Sequence, residues 1–377
     1  MKGIDKNSFL YPNRTIRLAT SFSGIGAIEH AFYRLGLKHK IQFAGDIDSD
    51  CKKAYLANYN LSEDRWHSDI HEFDANSFKG KVDIFVGGAP CQAFSLRGKH
   101  GGFNDTRGTL FREFARVVIE CQPKVFIFEN VKGMLFHDKG NTWNVIKNTF
   151  EKDCGYDIHY AVLNAKNYGV PQNRERLYCI GFKNPTEFFF PKPFPLKKCV
   201  YDYLEKEGNC KYFLKSKGAN FITRFINYKK SYTQINGKVL LCQKRNQQFN
   251  WHGDFIFHPV SSSIHSSSLQ DFLFDTKAFE TQYYLKGDLL QIESCTYPTK
   301  FTTKLIKKDM TNLTSKGIFR KLTPRECLNL MGFSKDFDIV VSDTASYKQA
   351  GNSIVVDVLM EILKQMDITK YGVENED

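Results

Sequence analysis

The sequence predicts an α/β protein, a doubly wound and mostly parallel sheet interrupted by a smaller, irregular insertion. Three observations carry that expectation. Short apolar runs alternate with amphipathic stretches through the first half of the chain, and Gly, Pro or polar residues close each run. The alternation stops near residue 183 and returns near residue 320.

Taken in order, IRLATSF (16–22) reads as a strand and AIEHAFYRLGL (27–37) as a helix with apolar residues at helical spacing. IQFAGDID (41–48), VDIFVGGAP (82–90), KVFIFENV (124–131) and RLYCIGF (176–182) read as further short buried strands. FKNPTEFFFPKPFPLKK (182–198) opens a Pro-rich linker into irregular sequence rich in Lys, Asn, Ser, Phe and Tyr, with a loop at SSSIHSSS (261–268). In RKLTPRECLNLMGF (320–333) Thr323-Pro324 opens a helix, and a last helix follows GNS through IVVDVLMEILKQM (354–366). The expected organisation is a first part over 12–185, an insertion over 186–317, and a C-terminal segment over 318–370 that completes the first part.

The 377 residues are 42% hydrophobic and 25% charged, ordinary values for a globular protein. No apolar run reaches the length of about eighteen residues needed to span a membrane. The N-terminus lacks the apolar centre of a signal peptide, so a cytoplasmic location is expected. Ten cysteines include no C-x-x-C pair and sit mostly in apolar runs, which points to reduced, buried thiols and to no metal site. Net charge is +12. Residues 183–319 hold 21 Lys/Arg against 11 Asp/Glu, a balance of 21 − 11 = +10, so a polyanionic partner would meet that segment.

Phe22-Ser23-Gly24-Ile25-Gly26 links the first strand to the first helix, where glycines let a ligand approach the backbone. Asp46 and Asp48 end the next strand, at the distance where an acid can accept ribose hydroxyls, and Asp69 in HSDIHEF suits an adenine amino group. Glu29 stands where a pyrophosphate-binding G-x-G-x-x-G needs its third glycine. A nucleoside ligand without phosphates, such as S-adenosylmethionine, fits better than a dinucleotide.

In GGAPCQAFSLRGKHGGFNDTRGTLF (87–111), Pro90-Cys91 follows a buried strand, so the thiol falls at the sheet's carboxyl edge. A lone cysteine there is more often structural than nucleophilic. Glu129-Asn130-Val131 at another strand end, and Gln172-Asn173-Arg174-Glu175-Arg176 before a further strand, change that balance. Thiolate addition at C6 of a cytosine activates C5, while negative charge builds on N3 and O2. A carboxyl group at N3 and an arginine near O2 stabilise that charge.

With these segments in this order, the sequence resembles the bacterial C5-cytosine DNA methyltransferases of restriction–modification systems. The matching segments are FSGIG, GDID, SDI, GAPCQAFS with DTRGTLF, ENVKGM, NYGVPQNRERLYCIGF, RKLTPREC and YKQAGNSIVVDV. The resemblance implies the S-adenosylmethionine-dependent methyltransferase fold, with Cys91 as nucleophile, Glu129 at N3, and Arg174 and Arg176 stabilising base and site. It implies a cofactor pocket lined by Phe22, Gly24, Asp46, Asp69, Ile70, Pro90, Leu110, Asn352 and Ser353, beside Ser23, Ile25, Gly26 and Ile47. The insertion corresponds to the family's target-recognition domain. Gln92, Ser95 and Arg97 are candidates for contact with double-stranded DNA and the target base, and Thr299 for supporting a flipped nucleotide. A functional pairing with a restriction endonuclease, and a monomer, are the expectations for partners.

Departures from the family pattern are Thr20 for a usual Asp, Ala27 for Gly, Asp46 for Glu, and Ile47 for an aromatic that packs on adenine. A transfer-RNA cytosine methyltransferase would carry nearly the same residues; the large basic insertion, and alanine rather than proline after Gln92, favour DNA. Intact Cys91, Glu129 and Arg176 argue against a catalytically silent DNA-binding protein, and the incomplete phosphate fingerprint argues against a nicotinamide oxidoreductase.

Overall fold

The computed structural model describes residues 8–90, 109–205, 210–214, 218, 221–222, 233–246, 252–259, 283–285 and 315–374. Its centre is a seven-stranded sheet of β1 (Ile16–Ser21), β2 (His39–Gly45), β3 (Trp66–His67), β4 (Ile84–Gly87), β5 (Val125–Val131), β6 (Asp157–Asn164) and β7 (Glu175–Phe182). The strand order is β3-β2-β1-β4-β5-β7-β6. β1 to β5 pair in parallel, and β7 lies antiparallel between β5 and β6. The doubly wound, mostly parallel sheet expected from the sequence is therefore present. β3 and β6 carried no comparable signal: β3 is two residues long, and β6 is an edge strand of mostly half-buried positions.

Alternation along the strands fills two cores, one on each face of the sheet. Val125 and Ile127 of β5 point into one cluster with Ile84, Val86 and Ile180. Phe126 and Phe128 point into the other, among Phe43, Phe85, Phe114 and Phe150. Burying each such phenylalanine contributes about 1.5–3 kcal/mol.

Helices α1 (Ala27–Leu35), α2 (Ser49–Asn58), α3 (Thr109–Cys121) and α4 (Asn141–Asn148) belong to the first part of the chain, and α5 (Pro324–Asn329), α6 (Asp343–Asn352) and α7 (Val356–Gln365) follow the insertion. Thr323 caps α5 where Thr323-Pro324 is expected to open a helix, and it does so in a capping box with Glu326. α7 returns to α1, where Arg34 Nη1 lies 2.7 Å from Asp357 Oδ2 and also donates to the Gly332 carbonyl at 2.8 Å. Thr15 and Val373 bridge the two ends of the described chain.

Among the described residues that follow β7, a second sheet forms that the sequence does not suggest. β8 (Thr233–Ile235), β9 (Gly253–Pro259), β10 (Tyr283–Leu285) and β11 (Ser315–Lys321) form a second sheet in the order β10-β11-β9-β8. β11 runs through residue 317, where the sequence reading ended the insertion, and continues to Lys321. The Pro-rich stretch is a packed strap. Thr186 N donates to Asp157 Oδ2, Phe188 packs on Phe182, Tyr168 Oη donates to the Pro191 carbonyl, and Phe194 N donates to the Asn167 carbonyl. The described cysteines are free thiols, with Cys51, Cys121, Cys179 and Cys327 buried. Among the described residues no helix is long and apolar enough to cross a membrane.

Candidate active site

The parallel strands β1, β2, β3, β4 and β5 end at one edge, and strand order reverses between β1 and β4, the position where open α/β sheets bind ligands. At that edge the turn after β1 carries three left-handed residues, Phe22 (φ 55), Gly24 (φ 56) and Gly26 (φ 80). Glycine adopts this conformation freely, whereas Phe22 holds it at a cost on the order of 1 kcal/mol. At Gly26 a Cβ would also collide with the Tyr59 ring, whose hydroxyl donates to the Gly26 carbonyl at 2.8 Å. Ile25 is buried beneath the turn.

Asp46 closes the turn from the side. Its Oδ2 accepts from Gly24 N at 2.9 Å and its Oδ1 from Asp48 N at 3.0 Å. Burial raises the Asp46 pKa, opposed by these two backbone donors. Asp48 instead caps α2 by accepting from Asp50 N. Ile47 beside them is 82% exposed, free to cover a flat ligand. Asp69 is half-buried and accepts from His71 N, while Ile70 is buried and its carbonyl accepts from Arg116 Nη2. Pro90 is exposed just after β4, Leu110 is half-buried at the start of α3, and Asn352 and Ser353 end α6.

The reaction end is built by β4, β5 and β7. Glu129 is 9% exposed, and Arg176 Nε lies 3.2 Å from its Oε1. Burial raises the Glu129 pKa, and Arg176 and then Arg174 draw it back down. Gly88, just after β4, packs closely on Glu129: a Cβ there would sit 3.1 Å from its Oε2 and from its backbone carbonyl. Asn130 ties the two strand ends together. Its Nδ2 donates to the Ala89 carbonyl at 2.9 Å, two residues before Cys91, and its Oδ1 accepts from Val131 N. Cys91, Gln92, Ser95, Arg97 and Thr299 lie outside the described residues.

Arg174 and Arg176 divide their work. Arg174 is buried and donates to the carbonyls of Gln243 at 2.8 Å, Gly351 at 3.2 Å and Ser353 at 2.8 Å. It joins the insertion to the end of α6 rather than facing Glu129. Gln172 does similar work, donating to the Leu330 carbonyl and accepting from Gln243 N. Cys242 Sγ lies 3.7 Å from Arg174 Nη1 and 3.8 Å from Arg176 Nη2. Nothing in the sequence singles out Cys242 or Gln243, because their roles come from where the insertion docks.

A doubly wound sheet with this order, a glycine turn welded to an acid after β2, and a carboxyl–guanidinium pair beside the end of β4 define an S-adenosylmethionine-dependent methyltransferase. The C-5 cytosine-specific DNA methylase family model matches residues 16–367, and the chain belongs to that family. Its activity is that of a DNA (cytosine-5-)-methyltransferase, with S-adenosyl-L-methionine as cofactor. The type II methyltransferase M.SsoII of Shigella sonnei is 36% identical over 365 residues, 94% of this chain and 82% of its own length. M.HpaII of Haemophilus parainfluenzae is 34% identical, with 93% and 88% covered. M.HhaI of Haemophilus parahaemolyticus is 31% identical, with 92% and 93% covered. Among solved structures, the Entamoeba histolytica methyltransferase EhMeth superimposes with a TM-score of 0.65 at 18% identity, over 94% of this chain and 98% of its own, a likeness of fold.

Proposed function

We propose that this methyltransferase acts on a flipped-out cytosine in double-stranded DNA through a covalent bond between Cys91 Sγ and C6, at a sequence selected by residues 186–317. The observation that carries the reading is the Glu129 carboxyl group, buried at the sheet edge beside Arg176 and joined through Asn130 to the strand that leads into Cys91.

The residues present fit the cofactor. Gly24 leaves the turn open to close approach, and Phe22, Asp46 and Ile47 offer a ring, a carboxylate and an exposed apolar surface at its lip. When bound, S-adenosylmethionine supplies an electrophilic methyl group to C5. Cys91 attacks C6 as thiolate, and the electron pair of the C5–C6 bond moves to C5 as Glu129 gives its proton to N3. The raised pKa of Glu129 favours the protonated donor this step needs. Arg176 holds the carboxyl group in place and takes up the negative charge left on it. Water takes the C5 proton, the freed electron pair re-forms the C5–C6 double bond as the C6–S bond breaks and Cys91 leaves as thiolate, and the N3 proton returns to Glu129.

The insertion's charge supports phosphate contact, and its docking on Gln172 and Arg174 supports a recognition surface held against the active edge. A base within a duplex is out of reach of a buried carboxyl group, which supports flipping. The names of the type II relatives support pairing with a restriction endonuclease. Bisulfite sequencing of plasmid DNA from expressing cells reads activity and motif together; cytosines left unmethylated in every context would overturn the proposal.

A further inference from the structure

Beneath the cofactor turn lies a buried carboxylate that the reaction does not use. Glu29 and Tyr55 are 0% exposed and Thr20 is 2% exposed, so none of the three meets bulk solvent. Gly45 N donates to Ser23 Oγ at 2.9 Å. Thr20 Oγ1 lies 2.7 Å from Ser23 Oγ and 3.1 Å from Glu29 Oε1. Tyr55 Oη donates to the same Glu29 oxygen at 2.7 Å.

The direction of this chain is fixed at both ends. A backbone N–H only donates, so Ser23 Oγ accepts from Gly45. A carboxylate only accepts, so Thr20 gives its proton to Glu29. Ser23 must then give its proton to Thr20. We infer that Glu29 is a positioning residue for the S-adenosylmethionine turn, the acceptor that orients the Ser23 and Thr20 hydroxyls and through them clamps the turn to the end of β2.

Three further observations agree. Ser23 N donates to the Gly45 carbonyl at 2.9 Å, so Ser23 is held at both its backbone and its side chain by one residue of β2. Asp46, the next residue, holds Gly24 from the same strand end. Glu29 Oε2 has no hydrogen-bond partner among the described residues. With the carboxylate ionised, Oε1 accepts from both Thr20 and Tyr55. Thr20 lies on β1 and Glu29 on α1, so the chain of hydrogen bonds ties both elements flanking the turn to the end of β2.

This inference rests on the turn after β1 being the cofactor site, and the test separates the two. Titration calorimetry with S-adenosylmethionine and with S-adenosylhomocysteine is run on Thr20→Val, Glu29→Ala, Glu29→Gln and Asp46→Ala. Thr20→Val removes the middle hydroxyl at constant volume, and it decides the matter if Glu29→Ala does not fold. Thr20→Val and Glu29→Ala are expected to weaken binding about three- to tenfold, with KM for the cofactor rising in step and kcat and KM for DNA held within about twofold. Glu29→Gln keeps an acceptor oxygen and is expected to restore most of the affinity. If Asp46→Ala weakens binding while Thr20→Val leaves it within about twofold of wild type, Glu29 has no such role. If Asp46→Ala also binds normally, the turn is not the cofactor site and the inference falls with that reading.

Discussion

Arg176 reaches Glu129 diagonally across an antiparallel pair: Arg176 faces Val131 and Tyr178 faces Glu129, which puts all four side chains on one face of the sheet. The two side chains are 16% and 11% exposed, so solvent screens the pair less than it would a surface ion pair. Removing Arg176 therefore leaves a nearly buried acid without its nearest cation.

Glu129→Gln should slow turnover by about 10²–10⁴-fold while cofactor titration stays close to wild type, because the group acts on the base. Single-turnover kinetics beside calorimetry separate the two effects. A loss confined to cofactor binding would contradict the assignment.

Arg176→Ala should shift the pH profile as well as lower the rate. Glu129 acts protonated, so activity falls as pH rises through its pKa, and losing the cation that pulls this pKa down moves the fall to higher pH. An unshifted alkaline limb in the variant would remove Arg176 from this role.

Cys91→Ser should abolish turnover with DNA binding retained, since a hydroxyl is a weak nucleophile at neutral pH. Wild type should form a covalent adduct with DNA carrying 5-fluorocytosine, visible by denaturing electrophoresis. An equally abundant adduct from the Ser variant would mean another nucleophile.

Glu29 makes stability depend on pH. Burial lifts its carboxyl pKa from 4.5 to about 7, so the folded state binds the proton more tightly than the unfolded chain. Its contribution is fully present below pH 4.5 and is lost as pH rises through about 7. Glu29→Gln should flatten that part of the profile, by on the order of 3 kcal/mol between the ends. Denaturant melts of both proteins across the window measure it; parallel profiles would mean that Glu29 titrates normally.

Exchanging the insertion for that of a relative should transfer the relative's methylation motif with it. β11 continues to Lys321, so an exchange ending there keeps the four-stranded sheet whole, and one ending at 317 cuts a strand. A folded, active chimera that retains the original motif would locate specificity elsewhere.

Most of the sheet was legible because strands buried on both faces read as short apolar runs, as IFVG and VFIF do. β6 escaped because an edge strand with half-exposed positions has no such run. The carboxyl edge was legible for the same reason: once β2, β4 and β5 are fixed, Asp46, Pro90 and Glu129 must share it. Arg174 and Arg176 looked equivalent in QNRER, and only folding separates them. Arg176 enters β7 and faces β5, whereas Arg174 lies ahead of the strand, where backbone carbonyls from distant segments converge. Such convergence leaves no local pattern. The strap was legible as Pro-rich sequence but not as packed structure, because its partners lie on β6, on β7 and in the segment joining them.

That strap has a metric consequence. β7 ends at Phe182, opposite Val125 and Asp157, on the far side of the sheet from the reaction, yet Leu240 and Gln243 meet Gln172 and Arg174 on the near side. The chain must climb back over eight strand residues, roughly 26 Å at 3.3 Å per residue, and residues 186–194 do so seated on their neighbours. A free tether of that span would let the insertion wander relative to the site. A seated one works as a ruler, so for the recognition role proposed here the spacing between the bases read and the cytosine modified becomes a built-in length of the protein.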